Sequence, residues 1–172
     1  PESTAERVSR AVETAPFGAL DIVRTAIERS AVPLERVESL AETKDALLID
    51  AAAVALGRPR NVATSPSRTG NTPSRFRLAH AALLAAAAAS TGRWADARAH
   101  RELLTANDLT VALLRTQLAA QLFDEATETA RQIAAAPDAP AWQLLVASDG
   151  LRLVGELEAA AALADRALEL DP

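Results

Sequence analysis

The chain has 172 residues and a net charge of −5, a length that suits one domain, or a compact pair of subdomains, with a real core. It contains no cysteine, which excludes disulfides and thiolate metal sites. Hydrophobic residues make up 49% of it and aromatic residues only 3%, and the abundance of alanine favours closely packed helices over strands. The longest apolar run, residues 81–89, is far shorter than the roughly 20 residues of a membrane helix. No signal peptide is recognisable, so we expect a cytoplasmic protein without a membrane span.

Two features of the composition concern the origin of the chain. Lys44 is the single lysine among 18 basic residues, and such a bias toward arginine and alanine is typical of a GC-rich bacterial genome. The chain also lacks methionine. Either the initiator methionine is removed ahead of Pro1, or the chain is a piece of a longer protein. Because it stops at Pro172, a boundary of the repeat described below, we favour a piece of a longer bacterial protein.

Residues 1–57 predict a group of N-terminal helices that cap the rest or form degenerate hairpins. A capping box at residues 3–6 predicts a first helix over 4–14. Pro16 suits the start of a second helix and Pro33 that of a third. Gly57 is a good terminator, because glycine accepts the left-handed conformation at a helix end.

Residues 58–77 have the composition of a loop, with proline, glycine, serine and threonine among arginines and no acidic residue. A loop of this length is a linker or a functional segment, and we expect it to lie outside the core. Three interpretations stay open: a solvated connector, a docking patch for an acidic partner, or a contact to nucleic acid. The acidic chain and its few aromatics disfavour the last. The arginines concerned are Arg58, Arg60, Arg68, Arg75 and Arg77.

After this loop the sequence repeats. Residues 155–160 (GELEAA) lie 34 positions after residues 121–126 (QLFDEA), and residues 92–97 (GRWADA) lie 29 positions before those. Each segment stands between two helical stretches, so the repeating unit is a helix, a tight turn and a second helix. We therefore expect helical hairpins that turn near Gly92, Gln121 and Gly155.

The last unit resembles a tetratricopeptide repeat. Its segment GELEAAAALADRALELDP carries small residues at Ala160 and Ala167 and ends on Pro172, as the second helix of that family does. The first unit departs most from the pattern, with a second helix about five residues short and Arg101 at a position where the family has a bulky apolar residue. The resemblance covers residues 78–172. It implies an all-α fold of three antiparallel helical hairpins, stacked as a right-handed α-solenoid.

No constellation of side chains suggests an enzyme. His80 and His100 are the only histidines, and neither has a metal ligand or a nucleophile at a fitting spacing. His100 is interpreted as a solvated residue on a helix surface. No glycine-rich phosphate loop is present, and we predict no catalytic residue, no metal and no cofactor.

Five residues are predicted to form a partner-binding groove. In the register that the family resemblance implies, Trp142 occupies a first-helix position that faces the concave groove, although packing at the start of that helix remains an alternative for it. The same register assigns Trp94, Phe123 and Leu157 to the core between helices. The groove residues are Arg115, Trp142, Leu145, Asp149 and Arg152.

A groove of this kind predicts a scaffold that binds a protein or peptide, such as an amphipathic helix or an extended segment. One alternative is the effector-sensing repeat region of a larger bacterial transcriptional or signalling regulator. A second alternative is a self-association domain that closes its own groove in a homodimer.

Overall fold

The computed structural model describes residues 4–30, 46–62 and 74–171. Over these ranges every regular element is helical, which confirms the predicted all-α class. Two 3₁₀ turns, Pro16–Gly18 and Pro59–Asn61, accompany the α-helices. The α-helices are α1 (Thr4–Thr14), α2 (Ala19–Ser30), α3 (Ala46–Ala55), α4 (Ser74–Ser90), α5 (Trp94–Thr105), α6 (Thr110–Ala119), α7 (Phe123–Ala135), α8 (Ala141–Leu153) and α9 (Leu157–Leu170).

The N-terminal helices follow the predicted pattern closely. Helix α1 has the predicted bounds and buries Val8 and Val12, one turn apart. Pro16 opens a 3₁₀ turn that leads into α2. Gly57 ends α3 at a φ of 72°, where the N–H of Arg58 bonds the carbonyl of Ala53 at 2.8 Å and closes the helix. Ser3 of the predicted capping box, and the start of the predicted third helix at Pro33, lie outside the described residues.

Part of the predicted loop 58–77 is ordered structure that packs on the core, so the expectation that it lies outside the core is wrong for both of its ends. Val62 is buried in the N-terminal core, and Phe76 packs against the same core. Helix α4 begins at Ser74, so Arg75 and Arg77 are helical residues. Both are exposed there.

The middle of helix α4 is buried on all sides. Residues 81–88, all alanine or leucine, are each buried, so α4 has no solvent face along that stretch. Ala79, Leu83, Leu84 and Ala87 belong to the N-terminal core, whereas Ala81, Ala82 and Ala85 pack with Leu104 and Leu113 of the following helices. Small side chains allow helices to approach α4 from both sides, and the N-terminal helices and the hairpins therefore share this one helix.

Three hairpins follow, α4–α5, α6–α7 and α8–α9, and they turn at the predicted residues. The turn residues Gly92, Gln121 and Gly155 have φ values of 73°, 59° and 89°. At each turn the next residue donates its N–H to a carbonyl five positions back, at 2.9 Å in all three cases. This is the hydrogen bond of a Schellman helix end, which also closes α3 after Gly57 and α5 after Asp108.

The spacing from Gly92 to Gln121 is five residues shorter than the spacing from Gln121 to Gly155, for a different reason from the one predicted. Helix α5 has 12 residues and α7 has 13, so the second helix of the first unit is almost of full length. The larger difference lies in the first helices, because α6 has 10 residues and α8 has 13. The small residues of the repeat, Ala97, Ala126 and Ala160, are all buried.

The predicted core positions of Trp94, Phe123 and Leu157 are wrong. Each is the first residue of its helix, and each side chain is at least half exposed. Side chains in a first turn point back toward the helix N-terminus, which here takes them over the hairpin turn. The alanine three positions further on faces the partner helix instead.

The first hairpin contacts the second mainly through α4 and α6, whereas the second contacts the third mainly through α7 and α8 and, to a smaller extent, through α6 and α8. The approach of α6 to α8 is close at Gly150, where an added Cβ would lie 3.3 Å from Leu114 Cδ2. The second and third hairpins share one large core cluster. Arg166 of α9 also donates to the carbonyls of Ala134 and Ala136, at 2.5 and 2.9 Å, and ties α9 to the end of α7.

Candidate functional site

Helix α8 presents the predicted groove residues on one exposed face. Leu144, Ala147 and Leu151 are buried in the core, and this fixes the opposite side of the helix toward solvent. Trp142 is 55% exposed and Leu145 is 49% exposed. Asp149 and Arg152 continue the exposed stripe, because residues three or four apart lie on the same side of a helix. We call these four residues the α8 face.

The two charges of the α8 face are paired with each other. Arg152 donates to Asp149 Oδ1 from two nitrogens, at 2.6 and 3.1 Å. Both side chains are well exposed, so the pair contributes little to stability. Arg115, the remaining predicted groove residue, is exposed on α6, the helix that packs beside α8.

The apolar groove does not extend into the earlier units as the repeat register predicts. In the second hairpin the register that the family resemblance implies also assigns Asp108 and Val111 to the groove; Val111 is buried in the core, whereas Asp108 is exposed. Of the equivalent positions of the first hairpin, Ala79, Ala82 and Ala86 are also buried, and Ala89 is half-buried. They are covered because the N-terminal helices and α6 pack on α4 from different sides.

The predicted basic loop is spread over several elements. Arg58 and Arg60 are exposed next to the second 3₁₀ turn, whereas Arg75 and Arg77 are exposed on the first turn of α4. The guanidinium of Arg75 lies 5.0 Å from the centre of the Phe76 ring, which places it over an aromatic face. Arg68 lies outside the described residues.

A cleft that the sequence prediction missed lies between the first and second hairpins. It is bounded by α5 and α7, which scarcely touch each other, and has a volume of about 900 Å³. Four of the residues that line it are alanines, whose short side chains leave the space between the helices unfilled. They are Ala85, Ala89, Ala97 and Ala106. We call this space the inter-hairpin cleft.

Polar groups of both signs line the inter-hairpin cleft. Arg98, Arg101 and Glu102 project from α5, and Glu125 projects from α7. Trp94, 60% exposed, stands at the start of α5 as part of the same lining. The ion pairs observed within residues 4–30, 46–62 and 74–171 do not include these four charged residues.

Gln117 is the most unusual side chain of the cleft lining. It is only 3% exposed, and its Oε1 atom is buried without a hydrogen-bond partner. An orphan buried acceptor destabilises a fold by about 1–3 kcal/mol, and such groups are rare. One feature of the sequence pointed to this cleft: Arg101 stands at a position where the repeat family has a bulky apolar residue.

Both histidines are buried, so the interpretation of His100 as a solvated residue is wrong. His100 lies on the side of α5 that also buries Ala97 and Leu104. His80 of α4 lies within hydrogen-bond distance of Asp50 of α3, with 2.6 Å between Nε2 and Oδ2, and both residues are buried. This pair joins the N-terminal helices to α4, across 30 positions of sequence.

No family model matches this chain, and comparisons with curated proteins and with solved structures find no match. Among the residues that the structure describes, no group of three or more His, Cys, Asp or Glu side chains is arranged to hold a metal ion. Within the same ranges no helix has both the length and the apolar character needed to cross a membrane.

Proposed function

We propose that the chain is a scaffold that binds a protein or peptide partner, with its three hairpins stacked as a tetratricopeptide-like right-handed solenoid. The observation that carries the proposal is the exposure of Trp142 and Leu145 on one side of a helix whose other side is fixed in the core. Binding energy in interfaces is concentrated in a few anchors, often Trp and Arg. A tryptophan held in solvent on a rigid helix is such an anchor.

The repeated geometry supports the solenoid part of this proposal. The three turns share one hydrogen-bond pattern, and successive first helices contact each other. Hairpins that stack in this way leave one side of their first helices open along the array. Arg115 on α6 and the α8 face are exposed positions on two successive first helices.

The chemistry of the α8 face defines the partner that it suits. Trp142 and Leu145 offer an apolar contact near the start of the helix, and the Asp149–Arg152 pair offers a donor and an acceptor near its end. An amphipathic helix or an extended segment, with apolar anchors at one end and polar groups at the other, complements this order.

A library of random peptides displayed on phage tests this function while leaving the sequence of the partner open. We expect enriched peptides whose binding is lost in Trp142→Ala and weakened in Leu145→Ala, because both side chains contribute exposed apolar area. Leu144→Ala is not a usable control, since Leu144 is buried in the core.

Phe123→Ala is the matched control, since Phe123 is similarly exposed but belongs neither to the α8 face nor to the lining of the inter-hairpin cleft. It should retain the selected peptides. The proposal is wrong if no peptide is enriched, or if every enriched peptide binds Trp142→Ala as well as wild type. Trp142→Ala should also melt like wild type, and a large loss of stability would identify Trp142 as a packing residue.

The effector-sensing alternative has its own supporting observation, the inter-hairpin cleft. A cleft of about 900 Å³ lies within the size range of small-ligand sites, and the orphan amide oxygen of Gln117 requires a donor. A sensor would use this cleft rather than the α8 face.

A further inference from the structure

The inter-hairpin cleft has the size and the polar equipment of a ligand site, and it lies on different helices from the α8 face. Its volume of about 900 Å³ is large enough for a small organic ligand. Its alanine lining leaves room for the apolar part of such a ligand. The space exists because α5 and α7 scarcely touch each other, and Gln117 of α6 lines it between these two helices.

The charges of the cleft are divided between its two walls. Arg98 and Arg101, three residues apart on α5, stand on the same side of that helix. Glu125 stands on α7, the opposite wall. Glu102 also stands on the α5 wall, so that wall carries two arginines and one carboxylate and is net positive, whereas the α7 wall is negative. A ligand that spans the cleft therefore meets a net positive wall on one side and a carboxylate on the other.

Gln117 adds a requirement for a hydrogen-bond donor between the two walls. Its amide oxygen is buried without a partner in the structure, so a ligand N–H that reaches it would remove an unfavourable state of the protein. Gln117 itself belongs to the lining of the cleft, so its side chain borders the space that a ligand would occupy.

We infer that the inter-hairpin cleft binds a short peptide of about two residues with free termini. Such a molecule carries the three groups that the cleft complements. Its carboxylate pairs with Arg98 and Arg101, its ammonium group pairs with Glu125, and its amide N–H donates to Gln117 Oε1. An apolar side chain at the mouth packs against Trp94. This site is separate from the α8 face and does not depend on the proposed scaffold function.

Isothermal titration of the 172-residue chain with alanyl-leucine tests the inference. We expect saturable binding to one site, and at least about tenfold weaker binding for N-acetyl-alanyl-leucine and for alanyl-leucine amide, because each lacks one charged contact. Absence of saturable binding at about 100-fold molar excess overturns the proposal. Equal affinity for the capped and uncapped peptides overturns it as well.

Gln117→Met distinguishes a recognition role from a structural one. Methionine fills a similar volume without the orphan oxygen, so the variant should melt at the same or a higher temperature while alanyl-leucine binding falls at least about tenfold. Thr129→Val is the matched control. Thr129 Oγ1 is also buried without a partner, but Thr129 does not line the cleft.

Thr129→Val should therefore keep the affinity of wild type. Among the charged residues, Arg101→Gln should weaken binding at least about tenfold, whereas Arg131→Gln, at an exposed arginine outside the cleft, should not. If Gln117→Met and Arg101→Gln bind alanyl-leucine like wild type, the cleft is not the site and the assignment is wrong.

Discussion

The two junctions between the three hairpins are built from the same repeat but are packed differently. At the second junction α7 packs broadly on α8, in a core cluster that includes Ile133, Leu144, Leu151 and Leu163. At the first junction α5 makes few contacts with α6, and alanines line the space that remains. The second junction is therefore closed and the first is open.

The difference comes from side-chain volume and from the ties between hairpins, because the turns are alike. Arg166 and the Arg131–Glu156 pair link the third hairpin to the second. At the first junction Arg98 and Arg101 project into a cleft instead. A few residues thus decide whether a junction is filled or left as an open cleft, while the turns stay the same.

The largest effect on stability is expected at the contact between the N-terminal helices and α4, the first helix of the hairpin at the open junction. Asp50→Ala removes the buried hydrogen bond to His80 that joins α3 to α4. Breaking a buried pair of this kind costs about 3–5 kcal/mol when the groups are charged, and we expect a loss in the free energy of unfolding of about 3 kcal/mol. Chemical denaturation measures it.

The helices in which the loss of stability appears sharpen the comparison. Hydrogen exchange in Asp50→Ala should accelerate most in α1–α4 and least in α8 and α9, since the latter belong to a different core cluster. Asp50→Asn, which retains a polar group toward His80, should lose less. Uniform acceleration over all helices would show that the two cores unfold as one unit.

A middle-sized effect is expected when the same alanine of the repeat is enlarged at each junction. Ala126→Leu should cost about 1–3 kcal/mol by overpacking, because Ala126 of α7 is 1% exposed and belongs to the core cluster that closes the second junction. Ala97→Leu should cost less, since Ala97 borders the cleft and the added carbons can occupy it. Equal losses in thermal melting would contradict the distinction between an open and a closed junction.

The smallest effects are expected at the turns, which serve as an internal control. An added Cβ would meet no atom within 4 Å at Gly92 or Gly155, so Gly92→Ala and Gly155→Ala should each cost about 1 kcal/mol through the backbone alone. Gln121→Gly should stabilise by about 0.5 kcal/mol, since glycine relieves the left-handed strain but gains freedom in the unfolded chain. Both losses are measured by urea denaturation. If the two glycine variants lose different amounts of stability, part of the difference between the open and the closed junction comes from the hairpins themselves.

Local signals were enough to predict the helices and the turns. Glycine favours a positive φ, and the repeat spacing extended this expectation to Gln121, which has no such preference of its own. The burial of Ala160 and Ala167 followed from the same register and is confirmed. The exposure of Trp94 did not follow, because residue type suggested the core while its place at the start of a helix turned it outward.

The cleft and the Asp50–His80 pair could not be predicted, because both depend on how distant elements meet. Asp50 and His80 are separated by residues 58–77, so no periodic pattern relates them. The cleft depends on the distance between α5 and α7, which follows from missing volume rather than from a motif. Arg101 at an apolar position was a visible departure, but its consequence required the packing around it.

The all-round burial of α4 has a consequence for the order of folding. Its alanine-rich middle has the highest intrinsic tendency to form a helix, and it needs no amphipathic face to do so. Both the N-terminal core and the small core around Leu104 and Leu113 use its surface. We expect α4 to be structured in the transition state, as a nucleus on which the two halves of the chain condense. Ala→Gly substitutions along residues 81–88 should then slow refolding more than they speed unfolding.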